Sequence, residues 1–417
     1  LLLASNLAIG ATKTVDGGAG TDSLTINYSG ITSLGDFSIT TSGDYLVLTD
    51  GSFNDIKFKR ITNLTVGDYA YTHVQTARGS SSPHQEKAYW NATEKALYLY
   101  DGANLPSDIW NTGDTNDVLP SLNLAHNITV AGNDGTQTLN LNVNRGVGGY
   151  TGNWTIDLKG GNDDLNSVKL KDADSFDLGP GNDTIYVMLT GTNGTPTIAS
   201  ANISKLDGGA GTDTISYESS SAPVNTILSL TTANASNFEN LYGGGNAETL
   251  NGDGNANVLK GKGGADTLNG NGGNDTLDSN SGDSTNDNLY GGAGNDTLIG
   301  NGGDNILDGG TGSDTITSGS GSDTIVIRSG DGGSTQSAGD TVSDFTNGTD
   351  SIGLDAITFG ALTIAQVGSD TVIKEGSNFL TTLTGISASA ITAIDFQSTS
   401  TSAATYTGTS GNDTMVG

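Results

Sequence analysis

The chain has 417 residues, a formal net charge of −30, 63 glycines and no cysteine. Its acidic residues are 40 Asp and only 6 Glu. This charge excludes nucleic acid as a natural partner, because the phosphates would be repelled. Disulfides are excluded as a source of stability, and no run of 18 apolar residues predicts a membrane span.

Residues 1–30 open the chain with strand-like sequence and one glycine-rich motif. The motif occupies residues 17–25, reads GGAGTDSLT and contains Asp22. The apolar residues that follow alternate with polar ones, as expected of a half-buried strand. We therefore expect an N-terminal strand and an outlying copy of a repeat.

Residues 31–130 contain no such motif. Alternating apolar and polar residues, as at 44–48 and 95–100, predict β-strands. Six of the 16 basic residues and all three His also lie in this segment. We interpret it as a β-rich insertion. Its aromatic residues are explained by packing between strands, and a contact with a glycan or another partner is the alternative.

Residues 131–240 carry widely spaced copies of a glycine–aspartate motif. Each copy places an Asp two positions before an aliphatic residue. The three Asp are Asp163, Asp183 and Asp213. Segment 139–144 alternates strictly between apolar and polar residues, as a half-buried strand does. The pattern predicts an irregular β-solenoid whose corners carry the motif.

Residues 241–345 are the most regular part of the chain. An aliphatic residue recurs every nine positions, with a single step of 12 between Leu277 and Leu289. The aliphatic residues are Leu250, Leu259, Leu268, Leu277, Leu289, Leu298, Leu307, Ile316 and Ile325. A fixed short period of this kind predicts a solenoid.

The residues around each aliphatic position indicate a metal. Residues 291–299 read GGAGNDTLI, which fits the pattern G-G-x-G-x-D-x-L-x and resembles the calcium-binding nonapeptide of the RTX (repeats-in-toxin) family. This resemblance implies an all-β fold, a calcium-bound parallel β-roll or β-solenoid. Each nonapeptide would be a six-residue loop and a three-residue strand. The aliphatic residue would point inward, and the Asp would point outward where loops stack.

The resemblance also implies several Ca²⁺ ions as cofactors. Calcium takes six to eight oxygen ligands, which carboxylates and the exposed carbonyls of glycine-rich loops supply. If two nonapeptides make one turn, Asp residues about 18 positions apart share an ion, as in the pairs Asp275–Asp296, Asp296–Asp314 and Asp266–Asp287. The predicted metal-binding residues are Asp22, Asp163, Asp183, Asp213, Asp266, Asp275, Asp287, Asp296, Asp314, Asp323, Asp413, Gly264, Gly273, Gly292, Gly294, Gly303, Gly310, Gly312 and Gly321.

The series of acidic residues is imperfect. Glu248, Asn257 and Asn305 occupy the position that Asp holds in the other repeats. Asn305 would sit between Asp287 and Asp323. Because an Asn side chain offers a carbonyl oxygen without charge, we expect the weakest calcium sites at the two Asn positions. We expect another weak site at the 12-residue step, residues 278–288.

Residues 346–417 follow the regular segment. The sequence VSDFTNGTDSIGL at 342–354 resembles the D-F-x-x-G-x-D-x-I-x-L element that follows the rolls of serralysin-like proteins. Because the end of a solenoid exposes unpaired backbone, we expect a C-terminal β cap here. A further copy of the repeat, containing Asp413, closes the sequence.

No catalytic constellation is apparent. The motifs H-E-x-x-H and G-x-S-x-G are absent, the three His lack the spacing of metal ligands, and there is no Cys nucleophile. Asp is so abundant that no particular pair of carboxylates stands out as an acid and base. We therefore expect that the chain is not an enzyme.

Three functions remain open. Repeats spread over the whole chain favour a secreted structural protein that assembles into a bacterial S-layer or extracellular filament, through head-to-tail or lattice contacts between copies. One alternative is a fragment of an RTX adhesin that binds a surface or a cell-surface glycan through residues 31–130. The other is the non-catalytic C-terminal part of a larger RTX enzyme. Each implies an extracellular or cell-surface location, and the resemblance implies type I secretion.

Overall fold

The computed structural model describes the second half of the chain almost continuously. The described residues are 2–4, 12–17, 23–26, 37–42, 45–49, 55–59, 61, 63–66, 69–73, 88–91, 96–99, 104–105, 128–132, 136, 138–140, 153–168, 174–187, 205–217, 226–230 and 235–399. Asp22 and Asp413, both predicted to bind metal, lie outside them. So does the terminal repeat.

The chain forms two compact units. The first comprises Leu1–Met188, Ala199–Glu218 and Thr232–Phe238, and the second comprises Leu189–Ile198, Ser219–Thr231 and Glu239–Gly417. The five segments expected from the sequence (1–30, 31–130, 131–240, 241–345 and 346–417) divide the chain more finely than these two units. That finer division stays a prediction.

Nearly all regular structure in the described residues is β-strand. The strands of the first half are β1 Leu2–Ala4, β2 Thr12–Asp16, β3 Ser23–Ile26, β4 Ser38–Ser42, β5 Tyr45–Thr49, β6 Asp55–Lys59, β7 Asn63–Val66, β8 Tyr69–His73, β9 Ala88–Asn91, β10 Ala96–Leu99, β11 Asn104–Leu105, β12 Ile128–Ala131, β13 Thr138–Asn140, β14 Trp154–Asp157, β15 Asp164–Val168, β16 Ser175–Asp177, β17 Thr184–Val187, β18 Lys205–Asp207 and β19 Thr214–Tyr217.

The remaining strands are β20 Thr226–Ser229, β21 Ala235–Ser236, β22 Asn240–Tyr242, β23 Glu248–Asn251, β24 Val258–Lys260, β25 Thr267–Gly272, β26 Thr276–Asp278, β27 Asn288–Ala293, β28 Thr297–Ile299, β29 Ile306–Thr311, β30 Thr315–Thr317, β31 Thr324–Arg328, β32 Asp340–Val342, β33 Ser351–Asp355, β34 Leu362–Val367, β35 Asp370–Glu375, β36 Asn378–Leu383 and β37 Phe396–Ser398. Among the described residues, short 3₁₀ helices span Gln336–Ala338, Phe359–Ala361 and Ala393–Asp395. In the described part of the chain no helix is long and apolar enough to cross a membrane.

The first unit is an irregular parallel solenoid interrupted by antiparallel strands. One sheet has the order β1-β3-β7-β8-β9-β10-β12-β14-β16-β18-β21. The pairs β7–β8, β8–β9 and β9–β10 are antiparallel, and the other pairs are parallel. Strands β2-β6-β5-β4 form a separate sheet. Parallel strands β11-β13-β15-β17-β19 form another wall. The antiparallel strands lie within residues 31–130, which confirms that this insertion is β-rich.

The second unit contains the regular roll, with two walls of parallel strands. One wall has the order β20-β23-β25-β27-β29-β31-β33-β37 and the other β22-β24-β26-β28-β30-β32. Leu250 pairs with Leu268 in the first wall, and Leu259 pairs with Leu277 in the second, both 18 residues apart. Two nonapeptides therefore make one turn, as the period predicts.

The core of the roll is the stack of these aliphatic side chains. All nine, from Leu250 to Ile325, are essentially fully buried. Burying one Leu or Ile side chain contributes about 1.5–3 kcal/mol to folding, so the stack is the main apolar stabilisation of the roll. The strands differ between the walls. They have three residues at β24, β26, β28 and β30, as expected, but six at β25, β27 and β29.

The roll ends in a cap of different topology. Strand β36 pairs in parallel with β32, and β35 and β34 then extend that wall as antiparallel strands. Phe345, Ile352 and Leu354 of the D-F element are buried. The expected C-terminal β cap is therefore present.

Candidate calcium centres

The loops of the roll depend on left-handed backbone at two positions. In the repeats at 261–278 and 291–326 the second and fourth residues have positive φ, and the eight glycines predicted at metal loops all do. They are Gly264, Gly273, Gly292, Gly294, Gly303, Gly310, Gly312 and Gly321. At Gly312, φ is 138° and a Cβ would overlap the carbonyl oxygen of Gly294 on the preceding turn. Successive loops stack at a distance that only glycine permits.

The predicted Asp residues form hydrogen-bonded ladders along the roll. The backbone N–H of Asp275 donates to Oδ1 of Asp296 at 2.7 Å, and that of Asp296 donates to Oδ1 of Asp314 at 2.8 Å. The ladder begins at Asn257, which donates to Asp275, and continues from Asp314 to Oδ1 of Asp340 at 3.0 Å. Each carboxylate is thereby held over the loop of the preceding turn.

A second ladder follows the other edge of the roll. It runs in one direction through Glu248, Asp266, Asp287, Asn305, Asp323 and Asp350, with N···Oδ1 distances of 2.8–3.1 Å. We call each residue of a ladder a rung. The pairs expected from the 18-residue spacing are adjacent rungs, and Asn305 lies between Asp287 and Asp323 as expected.

The first unit has a shorter ladder of the same kind. The N–H of Asp163 donates to Oδ1 of Asp183, and that of Asp183 donates to Oδ1 of Asp213, both at 2.7 Å. These rungs are 20 and 30 residues apart. The structure thus joins three Asp residues that the sequence presents only as isolated motifs.

Most ladder carboxylates use only one oxygen in hydrogen bonds within the protein, whereas Asp350 uses both, because its Oδ2 accepts from the N–H of Thr346 at 2.7 Å. The second oxygen is buried and lacks a hydrogen-bond partner in the following residues: Oδ2 of Asp183, Asp266, Asp275, Asp287, Asp296, Asp314 and Asp323, and Oε1 of Glu248. An isolated buried carboxylate oxygen is strongly unfavourable, so these atoms indicate a cation.

These Asp side chains lie where loops stack, as expected, but they are buried and not exposed at the surface. Asp266 and Asp323 are 0% exposed, and the other predicted Asp in the roll are nearly as buried. They lie between stacked loops, not on the outer surface, because the ladder hydrogen bonds draw each carboxylate over the preceding turn. An ion held there would be enclosed by the protein.

Backbone carbonyls complete the oxygen set. A Cβ at Gly291 would overlap Oδ2 of Asp296 and the carbonyl oxygen of Gly309 on the next turn. Gly270 stands in the same relation to Asp275 and to the carbonyl of Gly291. The absence of a side chain at the first repeat position leaves a carboxylate and a carbonyl oxygen close together. This hard, all-oxygen donor set fits Ca²⁺.

Burial changes the acidity of the ladder. It raises the pKa of Asp275, Asp296 and Asp323 to about 6 and that of Asp266 to about 8, and nearby carboxylates add to the effect. Removal from water penalises the charged form of each group. A bound cation would reverse this preference by stabilising the carboxylate.

Three acidic residues of the ladders and of the 12-residue step were not predicted from the sequence. Asp340 and Asp350 extend the two ladders beyond Asp314 and Asp323. Each is followed two positions later by an aliphatic residue, as in the repeats. They lie 26 and 27 residues after Asp314 and Asp323, however, so the nine-residue period does not reveal them. The third is Asp283, which lies with Asp266 and Asp287 at the 12-residue step. The sequence predicts a weak calcium site at this step, because the prediction does not include the carboxylate of Asp283.

An arginine neutralises part of the charge near the end of the roll. The guanidinium of Arg328 contacts the carboxylates of Asp308, Asp331 and Asp355, which lie on or beside three successive strands. Asp308 and Asp331 are nearly fully buried. Here a side chain supplies the cation that the ladders require from solution.

The fold and the paired carboxylates define a calcium-binding β-roll. The family model of the RTX calcium-binding nonapeptide repeat matches four times, at residues 242–277, 251–285, 281–316 and 299–332. Residues 242–332 are therefore RTX repeats that bind Ca²⁺, as the sequence resemblance implies. Repeats of this kind are structural elements of extracellular-type proteins.

The solved structures similar to this chain include an epimerase subunit and a lipase. The AlgE6R3 subunit of the mannuronan C5-epimerase from Azotobacter vinelandii is 25% identical, with a TM-score of 0.18, over 41% of this chain and 93% of the subunit. The extracellular lipase LipA from Serratia marcescens is 15% identical, with a TM-score of 0.17, over 68% of this chain and 41% of the lipase. No curated protein sequence matches the chain significantly.

Proposed function

We propose that the chain is a secreted, calcium-stabilised structural protein that assembles with copies of itself into a bacterial S-layer or an extracellular filament. The observation that carries this proposal is the position of the acidic ladders. They run from Glu248 to Asp350 and from Asn257 to Asp340, inside the stacked loops of the roll. Calcium at such sites joins one turn to the next, which is a structural role.

The charge of the ladders supports action outside the cell. With little calcium, the buried carboxylates repel one another and have no counter-ion, so the roll is unstable. With millimolar calcium, binding to the folded form alone drives folding. A chain that stays unfolded inside the cell and folds outside suits type I secretion. The absence of Cys agrees, since metal replaces disulfides as the cross-link.

The cap of the second unit supports self-association. Among the described strands, β34 and β37 are each the last of their wall, and each has only one neighbouring strand. An unpaired strand edge can pair with another chain. Ile394 is 90% exposed, and Val367 and Phe359 are also exposed. Exposed large apolar side chains beside open strand edges favour contact with a second copy.

The proposal is tested on purified chain in millimolar calcium and in chelator. We expect ordered arrays or filaments by electron microscopy, and large particles by light scattering, only with calcium. Ile394→Lys should reduce assembly without loss of calcium-dependent β-structure. Thr311→Lys, at an exposed position on strand β29, is the matched control and should assemble normally. A folded protein that stays monomeric with calcium would overturn the proposal.

A second candidate is an adhesin that contacts a surface or glycan through residues 31–130. The observation that favours it is the interruption of the parallel solenoid there by antiparallel strands, including the separate sheet β2-β6-β5-β4. Tyr71 is buried in the core and is unavailable for such a contact. A glycan-binding screen on the full chain, with and without a deletion in this insertion, distinguishes the two. Specific binding lost on deletion would favour the adhesin.

A further inference from the structure

The regular roll contains one irregular corner. The step from Leu277 to Leu289 is three residues longer than the others. The extra length forms a tight turn in which Asn280 and Gly282 have positive φ, and Ser281 forms an isolated β-bridge with Asp283. Counted back from Asp287, Asp283 takes the second position of its repeat, where the next two repeats have Gly292 and Asn301.

This corner brings three carboxylates together. One carboxylate oxygen from each of Asp266, Asp283 and Asp287 lies within 4.8 Å of the other two. The ladder hydrogen bond from the Asp266 N–H to Oδ1 of Asp287, at 2.8 Å, fixes two of them. Asp283 is fixed separately, because its Oδ1 accepts from the N–H of Thr285 at 3.0 Å and from its hydroxyl at 2.9 Å. In the folded roll these hydrogen bonds hold all three carboxylates in place.

The charges of the cluster are not compensated by the protein. The Oδ2 atoms of Asp266, Asp283 and Asp287 are all buried without a hydrogen-bond partner, and Asp266 and Asp287 are almost fully buried. Within the described residues none of the three forms an ion pair with Lys or Arg. Three buried negative charges at this separation need a cation of at least two positive charges.

The other rungs of the ladders differ from this corner in the number of carboxylates that they bring together. Asp275 and Asp296 are an adjacent pair in the other ladder, and each rung there supplies one carboxylate per turn. For calcium sites built from oxygen ligands, affinity is tuned by the number of charged ligands and by the rigidity of the site. A third fixed carboxylate therefore distinguishes the corner from the rest of the roll.

We propose that Asp283 converts this corner into a three-carboxylate calcium site that binds more tightly than the other rungs and fills first as calcium rises. The corner lies within the roll, so an ion there joins the turn containing Asp266 to the turn containing Asp287 before the remaining rungs are occupied. The site rests on the calcium-dependent folding invoked in the proposed function. It does not depend on assembly.

The test is a calcium titration of the full chain by competition with a fluorescent chelator, at a concentration where the protein is dispersed. We expect one ion to bind about ten-fold more tightly than the others in the unaltered chain, and this tight step to disappear in Asp283→Asn. Asn keeps an oxygen that can accept from Thr285. Asp283→Gly, which removes the side chain altogether, should give the same loss.

Asp304→Asn is the control, because Asp304 is exposed and its Oδ1 accepts only from the N–H of Ser322 at 2.8 Å. Asn holds the equivalent position in other repeats, as at Asn274 and Asn295. This control removes one charge and should keep the tight step. If either Asp283 variant folds with calcium and keeps the tight step, the proposal is wrong. Normal tight binding without assembly would instead count against the proposed function alone.

Discussion

The N–H of Asp275 donates a 2.7 Å hydrogen bond to Oδ1 of Asp296, one turn further along the roll. This contact leaves Oδ2 of Asp296 buried and without a hydrogen-bond partner. One side chain therefore has two separable roles. One oxygen fixes the stacking of two loops, and the other is available to a calcium ion.

Substitution of Asp296 separates these roles. Asp296→Asn keeps an acceptor for Asp275 but removes the charge, so we expect weaker calcium binding. Asp296→Ala also leaves the Asp275 N–H without its acceptor, which should cost about 1–3 kcal/mol more in free energy of unfolding. Thermal unfolding at several calcium concentrations measures both effects. Equal melting temperatures for the two variants at every calcium concentration would contradict the assignment.

The stacking of loops predicts a strong effect at Gly312. Gly312→Ala should be severely destabilising, because φ there is 138° and the new Cβ would overlap the carbonyl of Gly294. Gly254→Ala is the matched control in the same roll, since no atom lies within 4 Å of a Cβ at that position. We expect a loss of about 2 kcal/mol or more at Gly312 and a change under about 0.5 kcal/mol at Gly254, measured by denaturant unfolding with saturating calcium. Similar losses at both positions would count against close stacking.

The raised pKa values of the ladder carboxylates predict how stability depends on pH. Burial raises the pKa of Asp275 to about 6 and that of Asp266 to about 8, against a value near 3.9 in an unfolded chain. Without calcium, the folded chain therefore binds more protons than the unfolded chain. The contribution of these two groups to stability is fully present below about pH 4 and is lost as the pH rises through about 6 to 8.

Calcium reverses this dependence, because it binds the ionised carboxylates. Calcium affinity should therefore fall as the pH is lowered from about 8 to about 5. Chemical unfolding in chelator and calcium titrations across this range measure the two trends. An unfolding free energy in chelator that rises with pH across the window would show that these carboxylates are not buried as described.

The contacts of Arg328 predict that the roll around strands β29, β31 and β33 depends less on calcium than the rest. Arg328→Gln removes the cation that faces Asp308, Asp331 and Asp355, and leaves two nearly buried carboxylates without it. The loss should be about 1.5–3 kcal/mol, the usual range for hydrogen bonds to a charged group. Saturating calcium should not restore it. Full recovery of the melting temperature with calcium would show that the guanidinium is replaceable by the ion.

Much of the roll was predictable from the sequence because the signal is periodic. Nine-residue spacing fixed which aliphatic residues would be buried, and the 18-residue pairing of Leu250 with Leu268 followed from it. The glycines at positive φ, such as Gly294, were predictable for the same reason.

The rest depended on geometry that spacing does not encode. Asp350 follows Asp323 in the ladder but lies 27 residues later, because the intervening residues form the start of the cap, so the regular spacing does not predict it. Asp283 was missed because many Asp residues have similar neighbours in the sequence, and only the turn decides which one approaches Asp266. Burial of the ladder carboxylates could not be inferred either, since it arises from hydrogen bonds between turns.

The central claim is that calcium is required for the fold, and circular dichroism of the full chain tests it most directly. A calcium titration starting from chelator at neutral pH should convert a largely disordered spectrum into a β-sheet spectrum. The transition should be complete at millimolar calcium, because the ladder carboxylates then have their counter-ions. A complete β-sheet spectrum in chelator, unchanged on addition of calcium, would contradict the account.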